Sequence, residues 1–345
     1  MKYLIKTLIL WTASILCRYS GLDTFIRHFR QPSCTILTFH RLGSYDDPLL
    51  LSVDLDRFDM IIKTIKYVSE IVSLDSALYI LKTSTKRHVY VLTFDDGYAD
   101  NIVLKTYQKR GIPSIVYLAT SHIGKDLLWP QKLTDAVIYS QVNVLNLLDI
   151  NRQKYQIRTR QQKIFALQEI NTWLKTLPNT LLSKQVEEII KRCSINQLTQ
   201  AGRMLTWNEV QVLAEAGVTI GAHTMNHAIL SQISTLEAKH EIVGSIATIC
   251  ERIHTNTPLD FSYPNGRNID FNKDTINLVR KAGCKSAVTT VYGINTSSSD
   301  ILKLKRIPVT MISFLNPFGK FSPSRFLSET SGFMVFIKEL MQRDK

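Results

Sequence analysis

The chain has 345 residues, of which 45% are apolar, and a formal net charge of +13 at pH 7. This length allows one large domain or two small ones. Five scattered cysteines without Cys-x-x-Cys spacing argue against a disulfide framework and against a zinc–cysteine site. No basic motif interleaved with aromatic residues is present, so nucleic acid is not the expected partner. The charge favours an anionic membrane surface, or a phosphorylated or lipid-linked glycan.

Residues 1–30 are predicted to form an N-terminal amphipathic helix region with a local charge of +4. Lys6 interrupts its apolar run, and the run is too short to span a bilayer comfortably. A helix lying on the cytoplasmic face of the inner membrane fits this pattern. An ordinary helix packed on the domain, or an uncleaved signal sequence leading to the cell envelope, remains open.

The rest of the chain alternates short apolar runs with amphipathic segments, which is typical of parallel strands joined by crossover helices. The expected fold is therefore an α/β barrel with its chemistry at the carboxyl ends of the strands. The strand candidates are residues 34–40, 88–94, 113–120, 217–222, 260–264, 285–291 and 303–309. The helix candidates are residues 54–68, 100–110, 206–216, 234–254 and 272–282, with Ser234 and Glu237 as a capping box.

The second of these strands ends in the pair Asp95-Asp96, followed by Gly97. Two adjacent buried carboxylates repel each other, and their burial is costly without a cation or a hydrogen-bonding partner. One carboxylate can bind a metal while the other stays free as a base. The alternative is an ordinary Asp-Gly turn.

A second candidate group follows the strand near residue 220, where His223 and His227 are separated by one helical turn. Two histidines and one carboxylate are a common ligand set for zinc and similar divalent ions, and they leave positions open for water and substrate. Structural or surface histidines are the alternative interpretation.

These motifs resemble the polysaccharide deacetylases, the family 4 carbohydrate esterases with a NodB-homology domain. Residues 93–97 and 223–227 are similar to the first two family motifs, and residues 261–266 (Phe-Ser-Tyr-Pro-Asn-Gly) to the third. The resemblance covers residues 34 to 310 and implies an irregular seven-stranded barrel. It also implies a divalent metal, zinc being expected and cobalt, nickel or iron being alternatives.

The resemblance implies a role for each matching residue. Asp96, His223 and His227 would bind the metal, and Asp95 would be the general base. Tyr263 would contribute its backbone amide to an oxyanion pocket and so contact the substrate. A metal ion and a backbone N–H both stabilise the charge that develops during amide hydrolysis.

Two further residues complete the predicted catalytic set. No histidine follows His254, so the leucine–histidine motif that supplies the acid in most of the family is absent. His40 ends the first strand instead and resembles the acid histidine of the permuted exopolysaccharide deacetylase branch; a core histidine is the alternative. Arg306 ends another apolar strand and could reach Asp95, although a solvated arginine in a basic run is nearly as plausible.

The predicted domain boundaries are 31–129 and 206–315 for the barrel, 130–205 for an inserted accessory subdomain with helices, and 316–345 for a C-terminal tail or helix. Trp129, at the entrance to the insertion, could stack on a sugar ring, although a tryptophan at such a place is more often part of a core.

The sequence thus predicts a metal-dependent hydrolase that removes N-acetyl groups from an amino sugar in a bacterial polysaccharide, lipopolysaccharide or lipid-linked precursor. An inactive glycan-binding module, and an O-acetyl esterase or non-sugar amidase using the same metal site, are the alternatives.

Overall fold

Seven parallel strands close a barrel in the computed structural model, which describes residues 8, 10–16, 20, 32–43, 47–83, 87–125, 127–195 and 202–330. The closure is made by the first strand, which pairs in parallel both with the second barrel strand and with the last. All seven predicted strands are present within a few residues, so the predicted barrel is confirmed. The barrel strands are β1 (Ser33–Phe39), β5 (His88–Phe94), β6 (Ser114–Leu118), β9 (Thr219–Ala222), β10 (Phe261–Ser262), β11 (Ala287–Tyr292) and β13 (Leu304–Pro308).

Six short strands of the described residues lie outside the barrel, and they were not predicted as strands, apart from the alternating segment of the insertion. Their bounds are β2 (Arg41–Leu42), β3 (Ser52–Val53), β4 (Glu70–Ile71), β7 (Val144–Leu147), β8 (Gln153–Gln156) and β12 (Asn295–Thr296). Strands β2 and β3 pair with each other, β4 extends the sheet beside β5, and β12 runs antiparallel to β1.

Ten helices have named bounds: α1 (Leu55–Val68), α2 (Leu74–Lys82), α3 (Leu104–Lys109), α4 (Trp129–Ile138), α5 (Arg160–Leu174), α6 (Asn179–Arg192), α7 (Trp207–Glu215), α8 (Thr235–Arg252), α9 (Lys273–Lys281) and α10 (Pro323–Thr330). The predicted capping box is confirmed at the start of α8. The Glu237 amide donates to Ser234 Oγ at 3.2 Å, and the Glu237 carboxylate accepts the Ser234 amide at 2.8 Å. Reciprocal bonds of this kind satisfy amides that a helix start leaves unpaired.

The barrel and the insertion have separate hydrophobic clusters. In the barrel, the rings of Phe39 and Phe94 stack with centroids 5.1 Å apart, and Phe58 of α1 packs edge-on against both. The insertion buries its own cluster between α4, α5, α6 and the β7–β8 hairpin. The insertion thus has a hydrophobic cluster of its own, and the boundaries 130–205 of an accessory subdomain stay a prediction.

The two ends of the chain are described only in part. Residues 10–16 are helical, while most of the predicted region 1–30 and residues 331–345 of the predicted tail lie outside the described residues. Within the described ranges, the structure contains no helix of the length and apolarity that a membrane span requires. The cysteines that the structure describes, Cys34, Cys193, Cys250 and Cys284, are free thiols.

Candidate metal centre

Asp96, His223 and His227 meet at the carboxyl-terminal end of the barrel. Asp96 follows β5 and His223 follows β9, and parallel strands place both at the same edge. The Asp96 Oδ1 atom lies 3.5 Å from His223 Nε2 and 3.4 Å from His227 Nε2. One ligand atom from each residue falls within a cluster 4.8 Å across. The geometry brings the three predicted ligands together.

The donor atoms of this cluster fit a divalent ion. Asp96 Oδ1 is buried and has no hydrogen-bond partner among the residues that the structure describes, which is costly unless a cation occupies the space beside it. His223 Nδ1 contacts the carbonyl oxygen of Ser262 at 2.7 Å, so Nδ1 carries the proton and donates it. The lone pair of His223 Nε2 then points to the cluster, as in many zinc sites.

The three side chains also act on one another's ionisation. Burial alone would raise the pKa of Asp96, but the two histidines outweigh it and hold that pKa well below its usual range. Burial alone would lower the pKa of His223, yet the neighbouring Asp96 raises it. Burial lowers the pKa of His227 to about 3. Asp96 is thus ionised and His227 neutral, and these are the forms in which each side chain binds metal.

The loop between the two histidines is held by Glu241 of α8. The Glu241 carboxylate is 7% exposed and accepts the amides of Met225 and Asn226 at 2.9 and 2.8 Å. It also accepts the Asn226 side-chain amide at 2.7 Å. His227 adopts a left-handed φ of 55°, a strained conformation for a residue that is not glycine. Glu241 therefore stabilises a turn that presents both imidazoles.

Asp95 forms a buried ion pair with Arg306 of β13. The guanidinium donates to both carboxylate oxygens at 2.8 and 2.7 Å, and Arg306 has no exposed surface. The same guanidinium donates to the carbonyl oxygen of Thr289 at 2.7 Å and to Ser262 Oγ at 3.1 Å. Burial alone would raise the pKa of Asp95, but Arg306 outweighs it and lowers that pKa. The contact proposed from sequence is present, and it keeps Asp95 ionised.

His40 lies beside this pair. It follows β1, whose last residue Phe39 is in register with Phe94, and the Asp95 amide donates to the Phe39 carbonyl at 3.0 Å. The His40 ring is half-buried and close enough to contribute to the low pKa of both Asp95 and Asp96. Its backbone carbonyl accepts the buried Asn101 amide at 2.9 Å, which fixes the strand end. The predicted acid is therefore adjacent to the predicted base.

The expectation for Tyr263 is corrected. Its backbone amide donates to the carbonyl oxygen of Val288 at 3.1 Å and belongs to the β10–β11 ladder, so it is not free for an oxyanion. Its side chain has no exposed surface and stacks on Phe271 with centroids 4.5 Å apart. Tyr263 is a core residue behind the site and does not line a substrate pocket.

Trp129 occupies the first turn of α4 and packs against the hydrophobic cluster of the insertion. This is the core position that the sequence left open as the alternative. A sugar-stacking role for the remaining half-exposed ring stays a prediction.

Two groups were not singled out from the sequence. Glu241 lies 14 residues beyond His227, inside a helix, and the sequence alone does not distinguish it from the exposed charged residues of that helix. Asp100 binds the Arg41 guanidinium at 3.0 Å and the Leu42 amide at 3.1 Å, which fixes the segment after His40. A carboxylate on the buried face of a helix is the signal that could have found each of them. That face can be recognised from helical periodicity only when the element that packs against it is known.

Taken together, a closed parallel barrel with an Asp–His–His cluster and a buried Asp–Arg pair at its carboxyl edge defines the class of a barrel hydrolase with a candidate metal centre. The sequence model of the family named polysaccharide deacetylase matches residues 82–287, which is more than half of the chain. The chain belongs to the polysaccharide deacetylase family, and the predicted family is confirmed.

Similar proteins agree with this membership. YxkH of Bacillus subtilis (strain 168), whose name places it among the polysaccharide deacetylases, is 27% identical over 120 residues. That match spans 35% of this chain and 42% of YxkH, less than half of the relative.

Solved structures share the fold. The Streptococcus pyogenes deacetylase PplD, determined in complex with acetate, has a TM-score of 0.54 and 18% identity over 87% of this chain and 99% of that one. IcaB from Ammonifex degensii has a TM-score of 0.53 and 14% identity over 81% of this chain and 92% of that one. At these identities the likeness establishes the barrel.

Proposed function

We propose that this protein is a metal-dependent deacetylase that removes N-acetyl groups from an amino sugar of a bacterial glycan or glycan precursor. The observation that carries the proposal is the placement of two adjacent aspartates in separate environments. Asp96 faces two imidazoles, while Asp95 faces Arg306. One carboxylate is thus available as a ligand and the other as a base, as metal-assisted hydrolysis requires.

Asp96, His223 and His227 would hold the ion. When bound, a divalent ion supplies Lewis-acid polarisation of the acetyl carbonyl and lowers the pKa of water toward neutrality. Two histidines and a carboxylate favour zinc, with cobalt, nickel or iron as alternatives.

Asp95 would take a proton from the attacking water. Arg306 holds its carboxylate in place through two hydrogen bonds and keeps it ionised. His40, next to Asp95 at the end of β1, would protonate the departing amine, because an amine is a poor leaving group until it is protonated. The Tyr263 amide takes no part, because the sheet uses its N–H.

We further propose that the protein acts at a bacterial membrane surface, either on the cytoplasmic face of the inner membrane or in the cell envelope. Leu8 and Leu16, at the described N-terminal segment, are 47% and 69% exposed, which suits an apolar face in contact with lipid. Deleting residues 2–18 should move the protein from the membrane pellet to the soluble fraction. A protein that pellets equally with and without this segment would refute the membrane role.

The test of the reaction is acetate release by metal-loaded protein. The substrates are chitooligosaccharides, matched O-acetylated sugars and lipid-linked N-acetylated precursors. We expect release from an N-acetylated glycan by wild type, and loss of activity on the order of 10²-fold or more in Asp95→Asn with metal retained. Release from O-acetylated sugars alone would make the protein an esterase. Binding without release would make it a glycan-binding module.

A further inference from the structure

The inserted subdomain approaches the metal centre at the carboxyl end of α5. Lys175 caps that helix, and its carbonyl oxygen accepts the side-chain amide of Gln232 at 2.7 Å. Gln232 ends the short turn Leu230–Gln232, which comes just after His227. The insertion is therefore joined at Lys175 to the segment that carries a metal ligand.

The Lys175 side chain extends into the same region. It is half-buried, and it forms no ion pair with a carboxylate in the described parts of the chain. The charges that act on it come from Arg267, Asp270 and Asp96, and its own charge acts on His227. Lys175 thus lies near the metal centre, on the side of the insertion.

Asp270, a carboxylate of the loop after β10 whose charge acts on this lysine, is already neutralised. Asp270 is 1% exposed and accepts the Arg267 guanidinium at 2.8 and 2.9 Å. Asp96 faces the two metal-binding imidazoles. Arg267 therefore occupies the Asp270 carboxylate, while Lys175 forms no ion pair with a carboxylate of the described residues.

A half-buried lysine that forms no ion pair with the described residues costs free energy. Burial lowers the pKa of Lys175 from its ordinary value, and the positive charge of Arg267 lowers it further. A lysine that served only for solubility would extend into water, where this cost is absent. A charge kept at such a cost beside a catalytic centre is typical of a group that contacts the substrate.

We propose that Lys175 binds an anionic group of the glycan substrate, a phosphate or a carboxylate that lies next to the acetamido sugar in the metal centre. This inference rests on the proposed deacetylase function and narrows its substrate class. An anionic ligand would supply a counterion that the described residues do not provide, and the net charge of +13 attracts such a ligand at long range. The insertion would then contribute specificity, while the barrel contributes the chemistry.

The test compares three substrates on metal-loaded protein: neutral triacetylchitotriose, its 1-phosphate, and a hyaluronan tetrasaccharide that carries carboxylates. Lys175→Met removes the charge and keeps much of the length of the side chain. We expect kcat/KM for an anionic substrate to fall roughly tenfold or more through KM, since a charge-assisted hydrogen bond is lost. The neutral substrate should change less than about twofold. Lys175→Arg should keep kcat/KM for the anionic substrates close to the wild-type value, because it retains the positive charge.

The matched control is Lys154→Met, which removes the same charge from an exposed strand of the insertion. It should leave kcat/KM for all three substrates unchanged. A selective loss with the phosphate or with the carboxylate identifies which group binds. Equal losses on neutral and anionic substrates, or no loss on any of them, would overturn the proposal.

A direct binding measurement separates this proposal from the proposed function. Calorimetric titration of chitotriose 1-phosphate into wild type and Lys175→Met needs no turnover. If no acetamide is cleaved, the deacetylase function fails. Weaker binding by Lys175→Met would still support the anion site, whereas equal binding or no binding by wild type would overturn it.

Discussion

The buried pair of Asp95 and Arg306 allows its structural and catalytic roles to be separated by experiment. Opposite charges about 4 Å apart attract by about 4 kcal/mol at an effective dielectric constant of about 20. Removing one partner of a buried pair typically costs about 3–5 kcal/mol, because the other charge is left unpaired. We therefore expect Asp95→Asn and Arg306→Met each to lower the free energy of unfolding by roughly this amount.

The double variant should lose much less than the sum of the two losses. Replacing both charges leaves no unpaired ion in the barrel, so the coupling should be on the order of 2–3 kcal/mol. Some loss should remain, because Arg306 also binds the Thr289 carbonyl oxygen and Thr93 Oγ1. Urea unfolding of the four proteins at pH 7 measures this cycle.

Activity should not follow stability in the same four proteins. Asp95 is the proposed base, so the double variant should stay at least 10²-fold below wild type in acetate release even where its stability recovers. Additive stability losses would show that the two charges are not coupled. Recovery of activity together with stability would show that Asp95 only supports the fold.

Four further predictions test the remaining parts of the site and one buried carboxylate. His223→Ala should lose bound metal by elemental analysis, and equal metal content in variant and wild type would refute the ligand assignment. His40→Ala should lower N-acetyl hydrolysis by roughly 10²-fold or more but spare much of the cleavage of an activated acetate ester, and equal losses on both would indicate a positioning role. Glu241→Ala should weaken metal affinity roughly 10- to 100-fold. Glu237→Ala is the control, because Glu237 lies one turn earlier on the exposed side of α8, and it should leave metal affinity unchanged. Equal affinities of the two variants would exclude a role for Glu241 in holding the metal loop. Burial raises the pKa of Asp260 above its value in the unfolded chain, so ionisation of Asp260 opposes folding as the pH rises above that unfolded pKa. Asp260→Asn should therefore raise Tm at pH 7 relative to wild type but not near pH 3. The opposite order would mean that Lys285 stabilises the ionised form.

The barrel could be predicted because each of its strands is an apolar run bounded by polar residues, and the chemistry follows those runs directly. His40, Asp95, Asp96 and His223 each come within two residues of a strand end. Short strands such as β2 and β4 escaped prediction because two residues carry no period. Their existence depends on pairing partners elsewhere in the chain.

The errors and omissions at the site have the same cause. A motif records which residue type stands at a position, but not which backbone N–H the neighbouring strand uses, so the role expected of Tyr263 was wrong. Glu241 acts through partners on the metal loop, and the surroundings of Lys175 come from other elements, so no local pattern marks either residue. Contacts between distant elements override what a segment shows alone.

Arg306 shows how far strand order could carry the prediction. It lies 211 residues beyond Asp95, yet β13 and β5 both pair with β1, so the two residues are brought to one end of the barrel. Adjacent ionised carboxylates at a strand end repel each other, and the fold resolves this by giving each its own cationic environment. Asp95 turns to an arginine inside the barrel, and Asp96 turns to the imidazoles at its edge. The same geometry that relieves the repulsion favours different chemistry for the two residues, because Asp95 is held ionised by the arginine as the proposed base, while Asp96 keeps an unpaired oxygen that suits a cation.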